Sequence, residues 1–290
     1  MKILHTADWH LGQTFYEYDR REEHFHFLEW LKQQIKQHEI DVLLIAGDVF
    51  DSPNPSAESQ RVYYRFLREV TSENPSLQIV IIAGNHDSAA RLEAPNPLLE
   101  DMNIIVRGTV RRNAEGDIDL QHFIVPLYTE GKVTAYCLAV PYLRQGDYPS
   151  AENYSKGVQQ LYEQLFNKVK EKGIPVVAMG HLQATGSEIS EDDRSERTVI
   201  GGLECVSPDA FNEAITYTAL GHLHRSQRVS HRENVRYSGT PMPMSFAEKN
   251  NASGVVMITI DTEGTNIEKL EFQPLAGLVS IPPEARPLEE

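Results

Sequence analysis

Five short apolar runs in this chain each end at a cluster of side chains that commonly bind metal ions. The clusters combine carboxylates, imidazoles and an amide, and in chain order they are Asp8-Trp9-His10, Gly47-Asp48-Val49-Phe50-Asp51, Gly84-Asn85-His86-Asp87, Gly180-His181 and Gly221-His222-Leu223-His224. Apolar runs that stop at a glycine or a polar residue are typical of short buried strands. Ligands in open α/β sheets collect at the carboxyl ends of strands, so we expect the clusters to converge on one site.

The regions around these clusters alternate between predicted strands and predicted helices. Apolar stripes at helical spacing predict one helix from about Arg21 to Gln37 and another after Ser56. The predicted strands that lead into the clusters are Ile3–Leu4, Val42–Ala46, Ile79–Ala83, Val176–Met179 and Tyr217–Leu220. This alternation predicts an α/β (α+β) fold in which helices pack on mixed β-sheets.

The second half of the chain contains further strand-like segments and a hairpin signal. Glu263-Gly264 marks the turn between the last two of the predicted strands, which are Ile118–Val125, Ala135–Val140, Val235–Ser238, Gly254–Ile260 and Ile267–Phe272. A second sheet packed face to face on the first would bury them. We therefore predict a four-layer α-β-β-α sandwich over residues 1–276, with the Pro- and Glu-rich residues 277–290 as the start of a linker.

Composition narrows the class of protein further. No apolar run approaches the roughly 20 residues that cross a bilayer, and no secretory signal precedes the first cluster, so we expect a cytoplasmic protein without membrane contact. The two cysteines, Cys137 and Cys205, are expected to be free thiols. The net charge of −15 predicts weak DNA binding by this chain alone, because a protein that grips DNA usually presents a basic face.

The first two clusters contain the carboxylates. On a strand, residues i and i+2 face the same way, so Asp8 and His10 are predicted to hold one cation, although such a pair taken alone is more often a satisfied polar contact. Asp48 follows a glycine that lets the chain turn, and its two oxygens can bridge two metals. Asp51 is expected to support the site by accepting hydrogen bonds from loop amides or from a ligand imidazole.

The remaining clusters add an amide, imidazoles and a candidate proton donor. Asn85 would give its side-chain oxygen to one metal. His86 would instead point at the leaving group, and Asp87 would hold its imidazole in the right tautomer and keep it protonated, which makes His86 and Asp87 the predicted catalytic pair. His181 taken alone is a weak indication, because a lone histidine after a strand is more often a satisfied core residue.

The predicted metal ligands form a mixed oxygen and nitrogen set without a thiolate. His222 and His224, at i and i+2, are expected to share one face. The full set is Asp8, His10, Asp48, Asn85, His181, His222 and His224. Such ligands suit manganese, iron or zinc. Two divalent cations held in this way would activate a water and neutralise phosphoryl oxygens, which is what phosphodiester hydrolysis requires.

In this order the five clusters resemble the motifs of the calcineurin-like metallophosphoesterase superfamily. Longer stretches closely resemble its SbcD branch, the nuclease subunits of bacterial SbcC-SbcD complexes, over about residues 1 to 275, and they are His5 to Gly12, Ala46 to Asp51, Ala83 to Ser88, Ala219 to His224 and Val235 to Pro241. Trp9, Leu11-Gly12 and the Tyr-Ser-Gly-Thr-Pro stretch at 237–241 separate the chain from the protein phosphatases of the superfamily.

The resemblance implies a manganese-dependent nuclease of DNA repair, recombination and replication. It would act as a 3′→5′ exonuclease on duplex ends and as an endonuclease on single strands and hairpins. It would work as a cytoplasmic, nucleoid-associated homodimer bound to an ATPase coiled-coil partner of the SbcC type. The resemblance assigns one metal to Asp8, His10 and His224, the other to Asn85, His181 and His222, the bridge to Asp48 and catalysis to His86.

Two other classes of function remain open from the residues. A metallophosphoesterase for small phosphodiesters or phosphoproteins would share every ligand. A non-catalytic scaffold for DNA ends would hold phosphate through its metals, but His86 argues against it, because a scaffold needs no proton donor.

The SbcD family also continues beyond its phosphoesterase domain. A capping domain and a helical segment that docks the partner follow in that family, so the resemblance implies that this chain is a catalytic core. Candidates for the dimer face lie on the helices after Asp51 and Asp87, with core packing as the alternative, and they are Tyr63, Phe66, Leu67 and Leu98.

Overall fold

The computed structural model describes residues 1–187 and 205–279, so the predicted linker lies outside the described residues from position 280 onward. In chain order the strands are β1 (Lys2–Thr6), β2 (Thr14–Phe15), β3 (Tyr18–Asp19), β4 (Val42–Ala46), β5 (Gln78–Ile82), β6 (Ile104–Arg107), β7 (Ile124–Thr129), β8 (Lys132–Ala139), β9 (Val176–His181), β10 (Tyr217–Gly221), β11 (Gln227–Val229), β12 (Arg232–Tyr237), β13 (Gly254–Asp261) and β14 (Gly264–Glu271).

The helices lie between these strands. They are α1 (Arg21–His38), α2 (Ala57–Glu73), α3 (Ala89–Glu93), α4 (Asn96–Leu99), α5 (Leu120–Phe123) and α6 (Tyr154–Val169), with short 3₁₀ turns at Glu100–Met102, Lys170–Lys172, Pro208–Ala210 and Phe246–Glu248. The two long helices of the first half fall where their apolar stripes predict them. Helix α2 begins after Ser56, whose side chain accepts a hydrogen bond from the amide of Ser59 at 3.0 Å and caps the helix.

The strands form two mixed sheets of six strands each. The first has the order β14-β13-β1-β4-β5-β6, and the second has the order β11-β12-β10-β9-β8-β7. Strands β1, β4, β5 and β6 run parallel, whereas β13 pairs antiparallel with β1. In the second sheet β8, β9, β10 and β12 are parallel, and β7 and β11 are antiparallel at the edges. The carboxyl ends of the parallel strands therefore lie together in each sheet.

Alternation along each strand divides the apolar side chains between two sides of a sheet. On β4, Val42, Leu44 and Ala46 pack between the two sheets, whereas Leu43 and Ile45 pack under α1 and α2. Helix α6 covers the outer face of the second sheet with Val158, Leu161 and Leu165. The layers are thus helix, sheet, sheet, helix, and the predicted four-layer sandwich is confirmed.

The strand predictions for the second half were wrong in two respects. Strands β13 and β14 join the first sheet beside β1, although they were expected in the second sheet. The apolar pattern shows that a strand is buried, but it does not specify which neighbour the strand pairs with. The segment predicted as one strand from Ile118 to Val125 instead contains α5, because Asp119 caps a helical turn by accepting from the Gln121 amide before β7 begins.

Three of the four residues considered for a dimer face lie in the core. Tyr63, Phe66 and Leu67 are buried between α2 and the first sheet, whereas Leu98 is 75% exposed. Core packing therefore accounts for the apolar stripe of α2. Within the described ranges, no helix has both the length and the apolar character that a membrane crossing needs.

Candidate metal centre

The seven predicted ligands lie at the carboxyl ends of five strands from both sheets. The first sheet contributes the loops after β1, β4 and β5, and the second contributes the end of β9 and the loop after β10. Face-to-face packing brings these ends together. The ligands thus gathered are Asp8, His10, Asp48, Asn85, His181, His222 and His224.

Several of these residues have a left-handed backbone, which L-residues other than glycine rarely adopt. The φ angles are 54° at Asp8, 47° at His10, 47° at Asp48 and 101° at His222. Such conformations cluster at functional sites, where the surrounding structure compensates their cost. Strand alternation was the wrong reason to expect Asp8 beside His10, because β1 ends at Thr6 and both residues lie in the loop after it.

Two glycines allow the loops to approach one another. Gly47 has φ 92°, and a Cβ there would collide with the His181 imidazole. A Cβ at Gly84 would collide with the Asp48 carboxylate. Glycine is therefore required at both positions by close approach, and at Gly47 by backbone shape as well.

One group of ligands is formed by Asp8, His10 and His224. All three are buried, and one ligand atom from each lies within 4.8 Å of the others. The rings of His10 and His224 meet edge to face with their centroids 5.2 Å apart. This is the set that the resemblance assigned to one metal.

A second group is formed by Asn85, His181 and His222. The side-chain oxygen of Asn85 lies 3.0 Å from Nε2 of His181 and 3.0 Å from Nδ1 of His222. An amide oxygen and two imidazoles thus face a common point. The loop after β10 separates its two histidines, because His222 joins this group and His224 joins the other, so the expectation of one shared face was wrong.

Asp48 lies between the two groups. Its Oδ1 accepts a hydrogen bond from the His86 amide at 2.8 Å. Its Oδ2 lies 3.2 Å from Nε2 of His181 and 3.9 Å from Nε2 of His10. One carboxylate therefore reaches an imidazole of each group, as a bridging ligand must.

The ligand side chains are held from behind by hydrogen bonds, several of which cross between the sheets. The carboxylate of Asp8 accepts from the amide of His222 at 3.0 Å. Nδ1 of His181 lies 2.8 Å from the carbonyl oxygen of Ala46 and donates to it. Nδ1 of His224 lies 3.0 Å from a carboxylate oxygen of Glu248. These contacts fix which nitrogen of each ring faces the site.

Glu248 is a supporting residue that sequence reasoning missed. It is 2% exposed, and besides His224 it accepts a hydrogen bond from the amide of Met244 at 2.8 Å. No strand end or glycine precedes it, and it lies on the short 3₁₀ turn at Phe246–Glu248. Its only signal in the sequence is an acidic residue within an otherwise apolar and polar-neutral stretch, which is a common occurrence.

The structure gives His86 and Asp87 different partners from those predicted. Nδ1 of His86 lies 2.9 Å from the backbone carbonyl of Asp51. The Asp87 carboxylate accepts from the amides of Gly84, Phe50 and Val49 at 2.9, 3.0 and 3.2 Å. Asp87 thus ties the loop after β4 to the loop after β5 and does not orient the imidazole of His86. Asp51 supports the site as expected, with a carboxylate oxygen 3.5 Å from Nδ1 of His10.

Comparison with known proteins agrees with this geometry. The calcineurin-like phosphoesterase family model matches residues 1–226. The SbcD subunit of the SbcCD nuclease from Rhodobacter capsulatus is 41% identical over 272 residues, covering 90% of this chain and 66% of the relative. The corresponding subunit from Escherichia coli K12 is 32% identical, covering 96% of this chain and 70% of the relative. The chain belongs to the calcineurin-like phosphoesterase family.

Within that family the chain is a homologue of the SbcD nuclease subunits. A third relative of the same name, from Bacillus subtilis, is 30% identical over 276 residues and is covered to 66% of its length. The chain spans about two thirds of the length of these relatives.

The charges in the site of this SbcD homologue depend on one another. Burial raises the pKa of Asp8 to about 6, and the nearby imidazoles oppose this only in part. Burial also disfavours ionisation of Asp48, but His181 and His10 outweigh it and lower the pKa of Asp48. Burial would lower the pKa of His181, yet Asp48 and Asp8 raise it to about 9. The buried carboxylates thus demand positive charge beside them.

The residues present fit a pair of divalent cations. Oδ2 of Asp48 is buried and makes no well-formed hydrogen bond to the described residues, which is the state expected of a ligand atom. Each group combines oxygen and nitrogen donors, and no cysteine contributes. The site is therefore a two-metal site of the metallophosphoesterase type, and the donor set suits manganese, iron or zinc equally.

Proposed function

We propose that this chain is a metal-dependent DNA nuclease that hydrolyses phosphodiester bonds. It would act as a 3′→5′ exonuclease on duplex ends and as an endonuclease on single strands and hairpins. The observation that carries the proposal is the pair of ligand groups joined by Asp48, with His86 beside them, in a homologue of the SbcD subunits. Mn²⁺ is the metal that we expect.

The proposed ligand assignment follows the two groups. Asp8, His10 and His224 would hold one ion, Asn85, His181 and His222 would hold the other, and Asp48 would join them. Two such ions supply an activated water and positive charge for the phosphoryl oxygens.

His86 is placed to supply the proton for the leaving group. The carbonyl of Asp51 can only accept a hydrogen bond, so Nδ1 of His86 must donate to it. This contact fixes the ring and leaves Nε2 to give a proton to the departing sugar oxygen. The residue is only partly buried, whereas Asp48 is fully buried, so substrate can reach the imidazole. Asp87 is then a positioning residue that holds two ligand loops together.

The proposal extends to partners. The relatives bear the name of one subunit of a two-subunit nuclease. We propose that this chain works with an ATPase coiled-coil partner of the SbcC type, as a homodimer, on DNA ends in the bacterial cytoplasm. Because the net charge is −15, much of the grip on DNA would come from the partner.

The test is cleavage of a DNA duplex labelled at the 3′ or the 5′ end, with Mn²⁺, Mg²⁺ or a chelator. We expect Mn²⁺-dependent release of label from the 3′ end by the wild type and loss of at least about a hundredfold in rate for His86→Ala with its metals retained. The matched control is His231→Ala, since that histidine is exposed and distant in sequence from the site. Equal rates for His86→Ala and the control would contradict the role of His86.

The negative charge of the chain favours one rival activity. A small phosphodiester needs no basic surface, so a net charge of −15 is compatible with such a substrate. Rapid Mn²⁺-dependent hydrolysis of bis(p-nitrophenyl) phosphate together with no cleavage of DNA, even with an SbcC-type partner added, would favour that activity over the nuclease.

A further inference from the structure

Three aromatic rings form an exposed surface near the site, which we call the aromatic platform and define as Phe15, Tyr16 and Phe246. The ring centroids of Phe15 and Phe246 are 5.2 Å apart, those of Phe15 and Tyr16 are 5.0 Å apart, and those of Tyr16 and Phe246 are 5.6 Å apart. Tyr16 is 77% exposed and Phe246 is 46% exposed. Large rings exposed as a cluster are unusual on a protein surface unless they bind something.

The platform is joined directly to one group of metal ligands. Its first two rings lie on the β2–β3 hairpin, which follows the loop of His10, and the amide of Gln13 donates to the His10 carbonyl at 2.9 Å. The third ring, Phe246, is on the same short 3₁₀ turn as Glu248, whose carboxylate contacts His224. The platform therefore lies beside the metal ligands His10 and His224.

Buried polar contacts hold the two halves of the platform together. The guanidinium of Arg20 is 5.4 Å from the centroid of Phe15 and donates to the carbonyl of Pro243 at 2.6 Å. The Gln13 side chain donates to the carbonyl of Met244 at 3.2 Å and accepts from Arg20 at 3.0 Å. Arg20 is 4% exposed and also pairs with Glu23 at 2.8 Å. The hairpin is thus fixed to the segment that carries Phe246.

The backbone under the exposed tyrosine is strained. Tyr16 and Glu17 connect β2 to β3 with φ angles of 47° and 69°. A two-residue hairpin turn with positive φ at both positions normally uses asparagine, aspartate or glycine. A bulky ring at this position is an outlier, and strain of this kind is found at ligand-binding sites.

We propose that the aromatic platform stacks an unpaired base of a DNA strand whose backbone enters the metal site. The inference rests on the proposed nuclease function and specifies its substrate as a strand with unstacked bases. Exposed ring faces accept any base, because every base has a π-face. Arg225, exposed and adjacent to His224, places positive charge on the same side for the strand's phosphates. A planar, anionic occupant fits this combination better than an apolar peptide.

Binding of single-stranded oligonucleotides of about ten nucleotides, at low ionic strength with a chelator present, tests the platform without cleavage. One oligonucleotide carries bases throughout, and its match carries abasic sites near the 3′ end. We expect Tyr16→Ala and Phe246→Ala each to weaken binding of the base-bearing strand about five- to tenfold and to leave the abasic strand unaffected. Tyr16→Phe keeps the ring and should bind like the wild type, which separates lost stacking from misfolding.

A ring elsewhere on the surface provides the matched control. Tyr128 is 44% exposed on β7, at the far edge of the second sheet, and Tyr128→Ala should bind both oligonucleotides as the wild type does. Equal affinity of the wild type for base-bearing and abasic strands would overturn the platform, as would equal weakening of both strands by Tyr16→Ala and Phe246→Ala.

The cleavage assay separates this inference from the proposed function. If the wild type cleaves DNA, and the platform variants cleave base-bearing strands at the wild-type rate, the platform is wrong and the nuclease stands. If the wild type cleaves no DNA but its base-dependent binding requires Tyr16 and Phe246, the platform stands and the nuclease is wrong. Binding of a protein partner that Tyr16→Ala abolishes, with no base-dependent binding, would identify a protein-docking surface instead and contradict the stacking role.

Discussion

The two sheets contribute differently to the metal centre. The loops of the first sheet supply the oxygen donors Asp8, Asp48 and Asn85, and backbone amides hold the two carboxylates in place. The second sheet supplies only imidazoles, and these are held by acceptors, such as the Ala46 carbonyl behind His181. Each sheet thus provides what the other lacks, and several of the supporting hydrogen bonds cross between them. The metal centre exists only when the sheets are packed.

The largest effect is expected where both contributions meet. Asp48→Asn removes the charge that joins the two ligand groups, so we expect metal content to fall below two ions per chain and the rate of phosphodiester hydrolysis to fall by about a thousandfold or more. Metal analysis of the purified protein and a rate assay in saturating Mn²⁺ measure these effects. Asp101→Asn, at an exposed carboxylate, is the control. Full metal content and full activity in Asp48→Asn would show that the groups do not depend on the bridge.

Within the first sheet, Asp87→Asn tests the carboxylate that ties two loops together. The amide group would turn a donor toward the three backbone amides that now donate to the carboxylate, and it would leave buried groups unpaired. We expect the free energy of unfolding in urea to fall by about 3 kcal/mol. Asp101→Asn again serves as the control, and an Asp87→Asn protein as stable as the control would contradict the supporting role.

For the second sheet, Glu248→Gln tests the acceptor behind His224. The glutamine keeps an oxygen for the Met244 amide but loses the negative charge beside the imidazole. We expect affinity for Mn²⁺ to fall about ten- to a hundredfold, the range found when such supporting residues are changed. Titration of metal against the rate measures this, and Glu263→Gln, at an exposed glutamate of the β13–β14 turn, is the control. Activity restored by excess Mn²⁺ would agree with the role, and an unchanged affinity would not.

The smallest effect concerns the support of the first loop by a buried histidine. Both ring nitrogens of His24 lie 3.0 Å from carbonyl oxygens, those of Arg20 and Trp9, and burial lowers its pKa from 6.5 to about 4. The folded protein therefore resists protonation of His24, so its stabilising contribution is complete above pH 6.5 and is lost as the pH falls toward 4.

Between pH 7 and pH 5 this single group should lower the free energy of unfolding by about 2 kcal/mol. Urea denaturation at the two pH values, in chelator, compares the wild type with His24→Gln, which cannot titrate. We expect the pH dependence of His24→Gln to be shallower by that amount. Parallel pH dependence of the two proteins would show that His24 already titrates normally in the folded state.

The comparison of the sheets also explains how much the sequence could predict. Asp8, Asp48, Asn85 and the histidines were identifiable because ligand-type side chains at the ends of apolar runs carry local signals. Glu248 was not, since its role depends on the distant His224 and nothing beside it in sequence marks it. The partner of Asp87 was mistaken for the same reason, because adjacency to His86 in the chain suggested a contact that the loop amides take instead.

Sheet membership was the other limit. The alternation along β13 and β14 predicted two strands and a turn correctly, but pairing with β1 depends on contacts between residues far apart in the chain. The platform rings raised no expectation at all, because an aromatic residue in a strand-like stretch is ordinarily part of a core.

The pairing of β1 with β13 has a consequence for synthesis of the protein. The strand that covers one edge of β1 spans Gly254–Asp261, near the other end of the described fold. At roughly 5–20 residues per second, this edge of β1 remains uncovered on the ribosome for roughly 10–50 seconds. An unpaired, apolar strand edge invites aggregation during that interval, so the nascent chain has reason to engage chaperones until its last hairpin has been made.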